Sequence, residues 1–129
     1  MNRQQGLMLS LAEWVAKALP GVWSVTPFPE DWGRAGAYLN EEQSKAILII
    51  GESQNTADRN KNMLNVRGEY PKRKSGEQIQ SITHQIKVSG NKTGSQIAAD
   101  IERRLLPRYL LQLERELAAL SRYEACLFG

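Results

Sequence analysis

The chain has 129 residues, a formal net charge of +3, 41% hydrophobic residues and 24% charged residues. These values are typical of one soluble globular domain over residues 1–129, with a core large enough to fold without disulfides or metal. No apolar run approaches the roughly 20 residues that span a bilayer, and the N-terminal segment lacks a secretory cleavage site. A lone cysteine, Cys126, excludes an intramolecular disulfide and a cysteine-based zinc site. We therefore expect a cytoplasmic protein.

The charge is unevenly distributed along the chain. Residues 59–92 carry a net charge of +6, residues 1–58 carry −3, and residues 93–129 are neutral. A basic segment indicates contact with an anionic partner, although a solvated loop rich in lysine fits equally well. If the partner is a nucleic acid, the segment supplies four candidate phosphate-binding residues, which are Arg67, Lys72, Arg73 and Lys74.

The N-terminal segment predicts a helix followed by a strand. Residues 7–19 place apolar side chains at the spacing of one helical stripe. The predicted buried stripe comprises Leu7, Leu11, Trp14, Val15, Ala18 and Leu19. Pro20 and Gly21 end the helix, and residues 22–26 are expected to form a short strand. Residues 28–33 then predict a loop that exposes two aromatic side chains, Phe28 and Trp32.

The middle of the chain predicts four more strands. Residues 37–40 and 45–50 flank a tight polar turn, and the uninterrupted apolar run 46–50 indicates a central strand covered on both faces. Residues 51–62 lack large apolar side chains and predict a mobile loop. Residues 63–70 alternate between apolar and polar side chains, as in a half-buried strand. After a polar loop at 71–78, the fifth strand places four side chains on one face, which are Ile82, His84, Ile86 and Val88.

The C-terminal third predicts two helices. Ile97, Ile101 and Leu105 mark the buried stripe of the first. Pro107 removes a backbone donor and clashes with the preceding turn, so a kink or break is expected near residues 105–106. A block of strands between helices predicts an α+β fold: an N-terminal helix, a five-stranded antiparallel meander and two C-terminal helices.

Leucines recur at spacings of four and three along the second of these helices. The seam consists of Leu106, Leu110, Leu113, Leu117 and Leu120. It either docks on the sheet of its own chain or pairs with a second copy. Tyr109 and Leu111 widen the apolar surface beyond one stripe, which favours a homodimer or higher homo-oligomer built through the C-terminal helices.

The segment from Ser89 to Gln96 leads from a strand into a helix and contains a candidate anion site. Thr93 and Gln96 have the spacing of a capping box, and free amides at a helix start attract negative charge. A phosphate held here would contact Lys92, Thr93, Arg104 and Arg108. The same residues also fit an ordinary capped helix whose arginines pair with nearby glutamates.

The motifs of common enzymes are absent from the sequence. The Walker spacing does not occur, and no metal-binding H-E-x-x-H motif is present. His84 is the one histidine, and a histidine on a mostly apolar strand face is more often structural than catalytic. We therefore expect a binding protein that needs no cofactor and no metal, rather than an enzyme.

From Lys92 the chain reads K-T-G-S-Q-I-A-A-D-I-E-R-R-L-L-P-R-Y. This segment resembles the C-terminal part of small proteins encoded by phages and mobile elements, among them the Thoeris anti-defence sponges. The resemblance implies an intracellular oligomer that sequesters cyclic ADP-ribose-type signals without cleaving them. It places the family's polar ligand contact on Asn91 and its helix arginine on Arg108 or Arg104. The family's base-stacking aromatic has no counterpart on the preceding strand; Trp32 or Tyr70 would replace it if the fold brings either close.

Three functions remain open on the sequence. The first is the phage-type sequestration of a small phosphorylated nucleotide. The second is an accessory protein that binds nucleic acid through residues 59–92. The third is inhibition of a host defence complex by protein–protein contact, as anti-CRISPR proteins do. The scarcity of aromatic residues in the basic segment favours a discrete site over an extended nucleic-acid groove.

Overall fold

The computed structural model describes residues 3–53, 62–71 and 83–128, and for residues 3, 4 and 123–128 it describes the backbone alone. Most of the predicted loop at 51–62 and the candidates Lys72, Arg73 and Lys74 lie outside the described residues. The elements follow the predicted order of an N-terminal helix, five strands and the C-terminal helices. They are α1 (Arg3–Ala18), β1 (Trp23–Pro27), β2 (Gly36–Glu41), β3 (Ile47–Glu52), β4 (Met63–Glu69), β5 (Gln85–Ser89), α2 (Gly94–Asp100) and α3 (Leu106–Phe128).

The five strands form one antiparallel sheet in the order of the sequence, which confirms the predicted meander and the α+β class. β3 is the central strand. Leu48 and Ile50 are fully buried on one of its faces, and Ile49 is 8% exposed on the other. Residues 47–50 of the predicted apolar run therefore lie in the central strand, and its second face is covered at Ile49, whereas Ile47 is half-buried.

The helices α1, α2 and α3 pack on one face of this sheet. Alternate residues of the strands point to them and form the core. The sheet contributes Leu39, Leu48, Ile50, Leu64, Val66, Ile86 and Val88 to that core. We call the opposite side the open face. In the register of the sheet, one row of the open face contains Thr26, Tyr38, Ile49, Arg67 and Gln85.

The buried stripe of α1 agrees with the prediction at Val15 and Leu19, with Leu11 packed against the core, and differs at the other three positions. Leu7 is 65% exposed and Trp14 49% exposed, and Ala18 is exposed as well. The residues that enter the core are Met8, Ala12, Val15, Ala16 and Leu19. Apolar residues occur at both sets of positions, so helical spacing alone does not decide which stripe meets the sheet. Trp14 instead covers Gly94 of α2, where an added Cβ would lie 2.4 Å from the indole Cγ.

The predicted irregularity before Pro107 takes the form of a π-helical turn over Ile101–Leu105, which joins α2 to α3. The Leu106 N–H donates to the carbonyl of Ile101, five residues earlier. Since proline has no N–H to donate, the helical hydrogen-bond pattern is disturbed at this point. A single extra residue in the turn absorbs that disturbance and keeps the helix continuous.

The leucine seam docks on the chain's own sheet. Leu106 and Leu113 are 5% and 3% exposed, and Leu117 packs at the edge of the core. Leu110 and Leu111 remain exposed. Packing within one chain therefore explains the buried leucines of the seam. The homo-oligomer stays a prediction.

Tyr109 anchors α3 to the sheet. Its ring is fully buried and lies over Gly68, where an added Cβ would be 2.1 Å from the ring. The hydroxyl accepts a hydrogen bond from the Ile47 N–H at 2.9 Å and donates to the Glu69 carbonyl at 2.6 Å. Burial raises the pKa of Tyr109 to about 12, because an ionised phenol would be desolvated there.

Candidate functional site

The predicted capping box is present at the start of α2. The Thr93 hydroxyl accepts from the Gln96 N–H at 3.2 Å, and the Thr93 N–H donates to Gln96 Oε1 at 2.9 Å. Two amides of the turn are therefore satisfied by side chains of the chain itself. Asn91, the predicted polar ligand contact, accepts a hydrogen bond from the Asn62 side chain at 3.0 Å.

A carboxylate of the chain occupies the cationic centre of this predicted anion site. Lys92 Nζ lies 2.7 Å from Asp100 Oδ2, and Arg103 donates to Asp100 Oδ1 at 3.1 Å. The hydrogen bond from Lys92, followed by the nearby charges of Lys92, Arg103 and Arg104, lowers the pKa of Asp100. An anion arriving here would compete with a carboxylate that is 7% exposed.

The structure thus unites some of the predicted site residues and separates others. Lys92 and Arg104 both lie near Asp100. Arg108 is exposed farther along α3, and within the described residues no carboxylate pairs with it. Trp32 belongs to an aromatic cluster on the open face. It therefore does not replace the missing base-stacking residue beside Asn91.

His84 and Tyr70, the remaining candidates, form a structural pair. The Tyr70 hydroxyl is hydrogen-bonded to His84 Nδ1, and the Tyr70 ring packs 5.4 Å from that of Tyr109. Burial, and then the charge of Glu116, raise the pKa of Tyr70. Tyr70 is only 7% exposed, so it offers no free ring for a base.

A cleft of about 190 Å³ lies on the open face, on the side of the sheet away from the predicted anion site. We call it the open-face cleft. It is lined by Phe28, Arg34, Ile49, Gly51, Glu52, Asn65 and Arg67. Because one liquid water occupies about 30 Å³, this space corresponds to roughly six water molecules.

The connection between β1 and β2 forms one wall of the cleft. Phe28, expected to be exposed, is 3% exposed because its ring lies over two glycines of the sheet. An added Cβ would be 2.1 Å from this ring at Gly36 and 3.3 Å at Gly51. Trp32 is 45% exposed, as predicted. The rings of Phe28 and Trp32 lie 5.0 Å apart, and Tyr38 contacts both at 5.3 and 6.1 Å.

Gln5 of α1 holds both ends of this connection. Its side-chain amide donates to the Phe28 carbonyl at 3.3 Å and to the Gly36 carbonyl at 3.2 Å, and its Oε1 accepts from the Gly36 N–H at 2.9 Å. Gln5 is 4% exposed. A buried amide with satisfied hydrogen bonds is a strong constraint on the backbone, so the loop that carries Trp32 and Arg34 is fixed at its base.

Two guanidinium groups reach the cleft. Arg34 lies 5.1 Å from the centre of the Phe28 ring and 5.9 Å from that of Trp32. In the part of the chain that the structure describes, no carboxylate forms a salt bridge with it. Arg67, from β4, is 3.4 Å from Glu69 and 45% exposed in its side chain. The cleft therefore combines a cation held by aromatic rings with a second, weakly paired cation.

The sequence alone does not indicate the open-face cleft, because its residues come from two separate segments of the chain. Trp32 and Arg34 are two residues apart in an apparent loop, and Asn65 and Arg67 alternate on a strand thirty residues later. The sequence does contain one indication of the cleft: apolar and polar side chains alternate over residues 63–70, which predicts Asn65 and Arg67 on a polar face. The strand register that joins this face to Phe28 was not readable from the sequence.

Within the described residues, no group of three or more histidine, cysteine, aspartate or glutamate side chains is positioned to hold a metal ion. None of the helices in the described ranges combines the length and apolarity that crossing a membrane requires. Comparison of the chain with protein-family models, with curated proteins and with solved structures gave no significant match.

Proposed function

We propose that the protein is a non-enzymatic binder of a small phosphorylated nucleotide, and that part of the ligand occupies the open-face cleft. The observation that carries this proposal is the position of Arg34. Its guanidinium lies beside the rings of Phe28 and Trp32, without a carboxylate partner among the described residues, at the rim of a cleft that Arg67 also lines. Such a cation is ready to receive an anion without first breaking an ion pair.

Each part of a nucleotide has a complementary group in this region. The two guanidinium groups provide planar sets of N–H donors for phosphate oxygens. Trp32 exposes nearly half of its surface beside Arg34, and an exposed indole ring stacks on a base with about 1–3 kcal/mol. Ile49 provides an apolar contact on the floor of the cleft. Arginine, amide and aromatic groups bind a ligand through non-covalent contacts, so we propose binding without a chemical reaction.

The resemblance of residues 92–109 to the Thoeris anti-defence sponges extends the proposal to a biological role. It suggests a phage-type protein that captures a cyclic ADP-ribose-type signal in the host cytoplasm. In this proposal sequestration lowers the concentration of the free signal, and homo-oligomers through the C-terminal helices raise the number of sites per particle.

Binding of nucleic acid is the second candidate function, and one feature of the open face favours it. Arg67 and Lys87 lie on adjacent strands of this face, and both are exposed. A single strand crossing the sheet would meet them in succession. The two candidates differ in their dependence on salt: affinity for an oligonucleotide falls steeply with salt because several phosphates are contacted, whereas one pocket loses much less.

Calorimetric titration tests the proposal and its location. We expect ADP-ribose to bind the wild-type protein, and Arg34→Ala to weaken binding by about 1.5–3 kcal/mol, the usual loss for a charge-assisted hydrogen bond. Arg108→Ala is the matched control, an exposed arginine of the site predicted at α2. A loss of affinity in Arg108→Ala with none in Arg34→Ala would place the ligand at α2. Tight, salt-sensitive binding of a ten-nucleotide oligothymidine, with no binding of ADP-ribose, would favour the second function.

A further inference from the structure

We infer that Gln5 is a positioning residue for the open-face cleft, an inference that rests on the function proposed above. Gln5 lies in the first turn of α1, and α1 packs on the side of the sheet opposite the cleft. Its side chain forms three hydrogen bonds to the backbone of Phe28 and Gly36, which we call the Gln5 clamp. Through this clamp, a residue that does not line the cleft controls the shape of the cleft.

The Gln5 clamp replaces one hydrogen bond of the ladder between β1 and β2. Beyond the last paired residues of the two strands, the Phe28 N–H donates to the Gly36 carbonyl at 3.0 Å. In an antiparallel ladder such a pair normally exchanges two bonds, but the return bond is not formed. Instead the Gly36 N–H donates to Gln5 Oε1 at 2.9 Å, and Gln5 Nε2 donates to the Phe28 carbonyl at 3.3 Å. The amide of Gln5 therefore keeps the Gly36 nitrogen and the Phe28 carbonyl oxygen from bonding directly.

The clamp lies at the base of the loop that carries two proposed ligand contacts. Residues 29–35 form this loop between Phe28 and Gly36. Within it, the Trp32 ring lies 5.0 Å from the Phe28 ring, and the Arg34 guanidinium lies 5.1 Å from the centre of the Phe28 ring. Phe28 thus supports both side chains, and Gln5 holds the backbone of Phe28. Without Gln5, the direct bond between Gly36 and the Phe28 carbonyl becomes available, and its formation would turn the Phe28 backbone toward β2.

The packing of the Phe28 ring transmits such a change to the cleft. The ring is 3% exposed and lies so close to the backbone of β2 that a Cβ at Gly36 would be 2.1 Å from it. Because close-packed groups cannot absorb a displacement, a turn of the Phe28 backbone moves the ring and the side chains of Trp32 and Arg34 on it. A ligand would then have to reorder two side chains on binding, which lowers its affinity. We expect a loss of about tenfold.

The coupling between clamp and ligand is reciprocal, as thermodynamic linkage requires. If the closed clamp raises the affinity about tenfold, a bound ligand stabilises the closed clamp over its open form by the same factor. The Gly36 N–H reports this equilibrium, because its bond to Gln5 Oε1 must break before the amide hydrogen exchanges with water. Saturating ADP-ribose should therefore slow the exchange of this amide about tenfold in the wild-type protein.

The test replaces Gln5 by methionine, which is similar in length but has no N–H donor and only a weak acceptor. In ligand-free Gln5→Met we expect the NMR signals of the Trp32 indole N–H and the Arg34 side-chain N–H to shift. Calorimetry should show that this variant binds ADP-ribose about tenfold more weakly than wild type. Ile86→Val is the matched control, because it loses one carbon from the core at β5 and lowers stability without touching the clamp. It should keep the wild-type signals and affinity.

The outcomes separate this inference from the proposed function. Equal affinity of wild type and a folded Gln5→Met, or an equal loss in Ile86→Val, would overturn the role of Gln5 and leave the proposed function intact. If Gln5→Met does not fold, as judged by circular dichroism, exchange at Gly36 in wild type decides, and an unchanged rate with bound ADP-ribose would overturn the inference. If wild type does not bind ADP-ribose but Gln5→Met shifts the signals of Trp32 and Arg34, the proposed function fails and the positioning of the loop by Gln5 is supported. Unshifted signals in a folded Gln5→Met would overturn the inference whether or not ADP-ribose binds.

Discussion

Replacing Tyr109 by phenylalanine removes a single hydroxyl from the interior, and its effect follows from two hydrogen bonds. The hydroxyl accepts from the Ile47 N–H and donates to the Glu69 carbonyl. Without it, both backbone groups lose a partner beneath α3. Since an unsatisfied buried group costs about 1–3 kcal/mol, we expect the free energy of unfolding at pH 7 to fall by that amount.

The same substitution should change the dependence of stability on alkaline pH. The pKa of Tyr109 rises from 10.0 to about 12 on folding, so the folded protein holds this proton more tightly. The resulting stabilisation is complete below pH 10 and is lost as the pH rises toward 12. It amounts to about 3 kcal/mol in total, of which about 2 kcal/mol is lost by pH 11.5. Tyr109→Phe has no phenol at this position and lacks that loss.

Urea unfolding followed by far-UV circular dichroism at pH 7, 9 and 11.5 measures both effects. The stability difference between wild type and Tyr109→Phe should narrow by about 2 kcal/mol at the highest pH. Tyr38→Phe is the control, because no hydrogen bond of its hydroxyl occurs within the described ranges. The anchoring role would be refuted if the free energies of unfolding of Tyr109→Phe and wild type agreed to within about 0.5 kcal/mol at pH 7 and changed in parallel with pH.

Three further substitutions test local features. Gly68→Ala would place a Cβ 2.1 Å from the Tyr109 ring, and we expect a loss of about 1–3 kcal/mol; an unchanged melting temperature would contradict this packing. Thr93→Ala removes the cap of α2 and should cost about 0.5–2 kcal/mol in a thermal melt, whereas a neutral effect would indicate that the cap contributes nothing. The lowered pKa of Asp100 stabilises the folded protein above pH 3.8, and this stabilisation is lost as the carboxyl is protonated in acid. Asp100→Asn should therefore be less stable than wild type at neutral pH and lack this loss in acid. It should also free Lys92, so that inorganic phosphate stabilises this variant against heat more than it stabilises wild type; equal responses would argue against an anion site blocked by Asp100.

The parts of the fold that follow from local patterns were predictable from the sequence. The apolar run at 46–50 indicated a central strand, the alternation at 63–70 placed Asn65 and Arg67 on one face, and Thr93 with Gln96 formed the expected cap. Each of these predictions depends on neighbours within a few residues, where the periods of helix and strand act directly.

The features that were not predictable depend on contacts distant in the sequence. Phe28 is buried because strand pairing brings Gly36 and Gly51 side by side beneath its ring. The pairing of Lys92 with Asp100 spans the capped turn, so spacing alone did not show that a carboxylate would occupy the predicted anion site. Gln5 bonds the backbone at Phe28 and Gly36, and nothing in its local sequence indicates that role.

An amide-resolved NMR titration of the wild-type protein with ADP-ribose determines whether the ligand binds in the open-face cleft. Binding in the cleft predicts the largest chemical-shift changes at Arg34, Gly51 and Asn65, with the amides of Asn91 and Thr93 unaffected. Shifts confined to Asn91 and Thr93, or no shifts at saturating ADP-ribose, would contradict it.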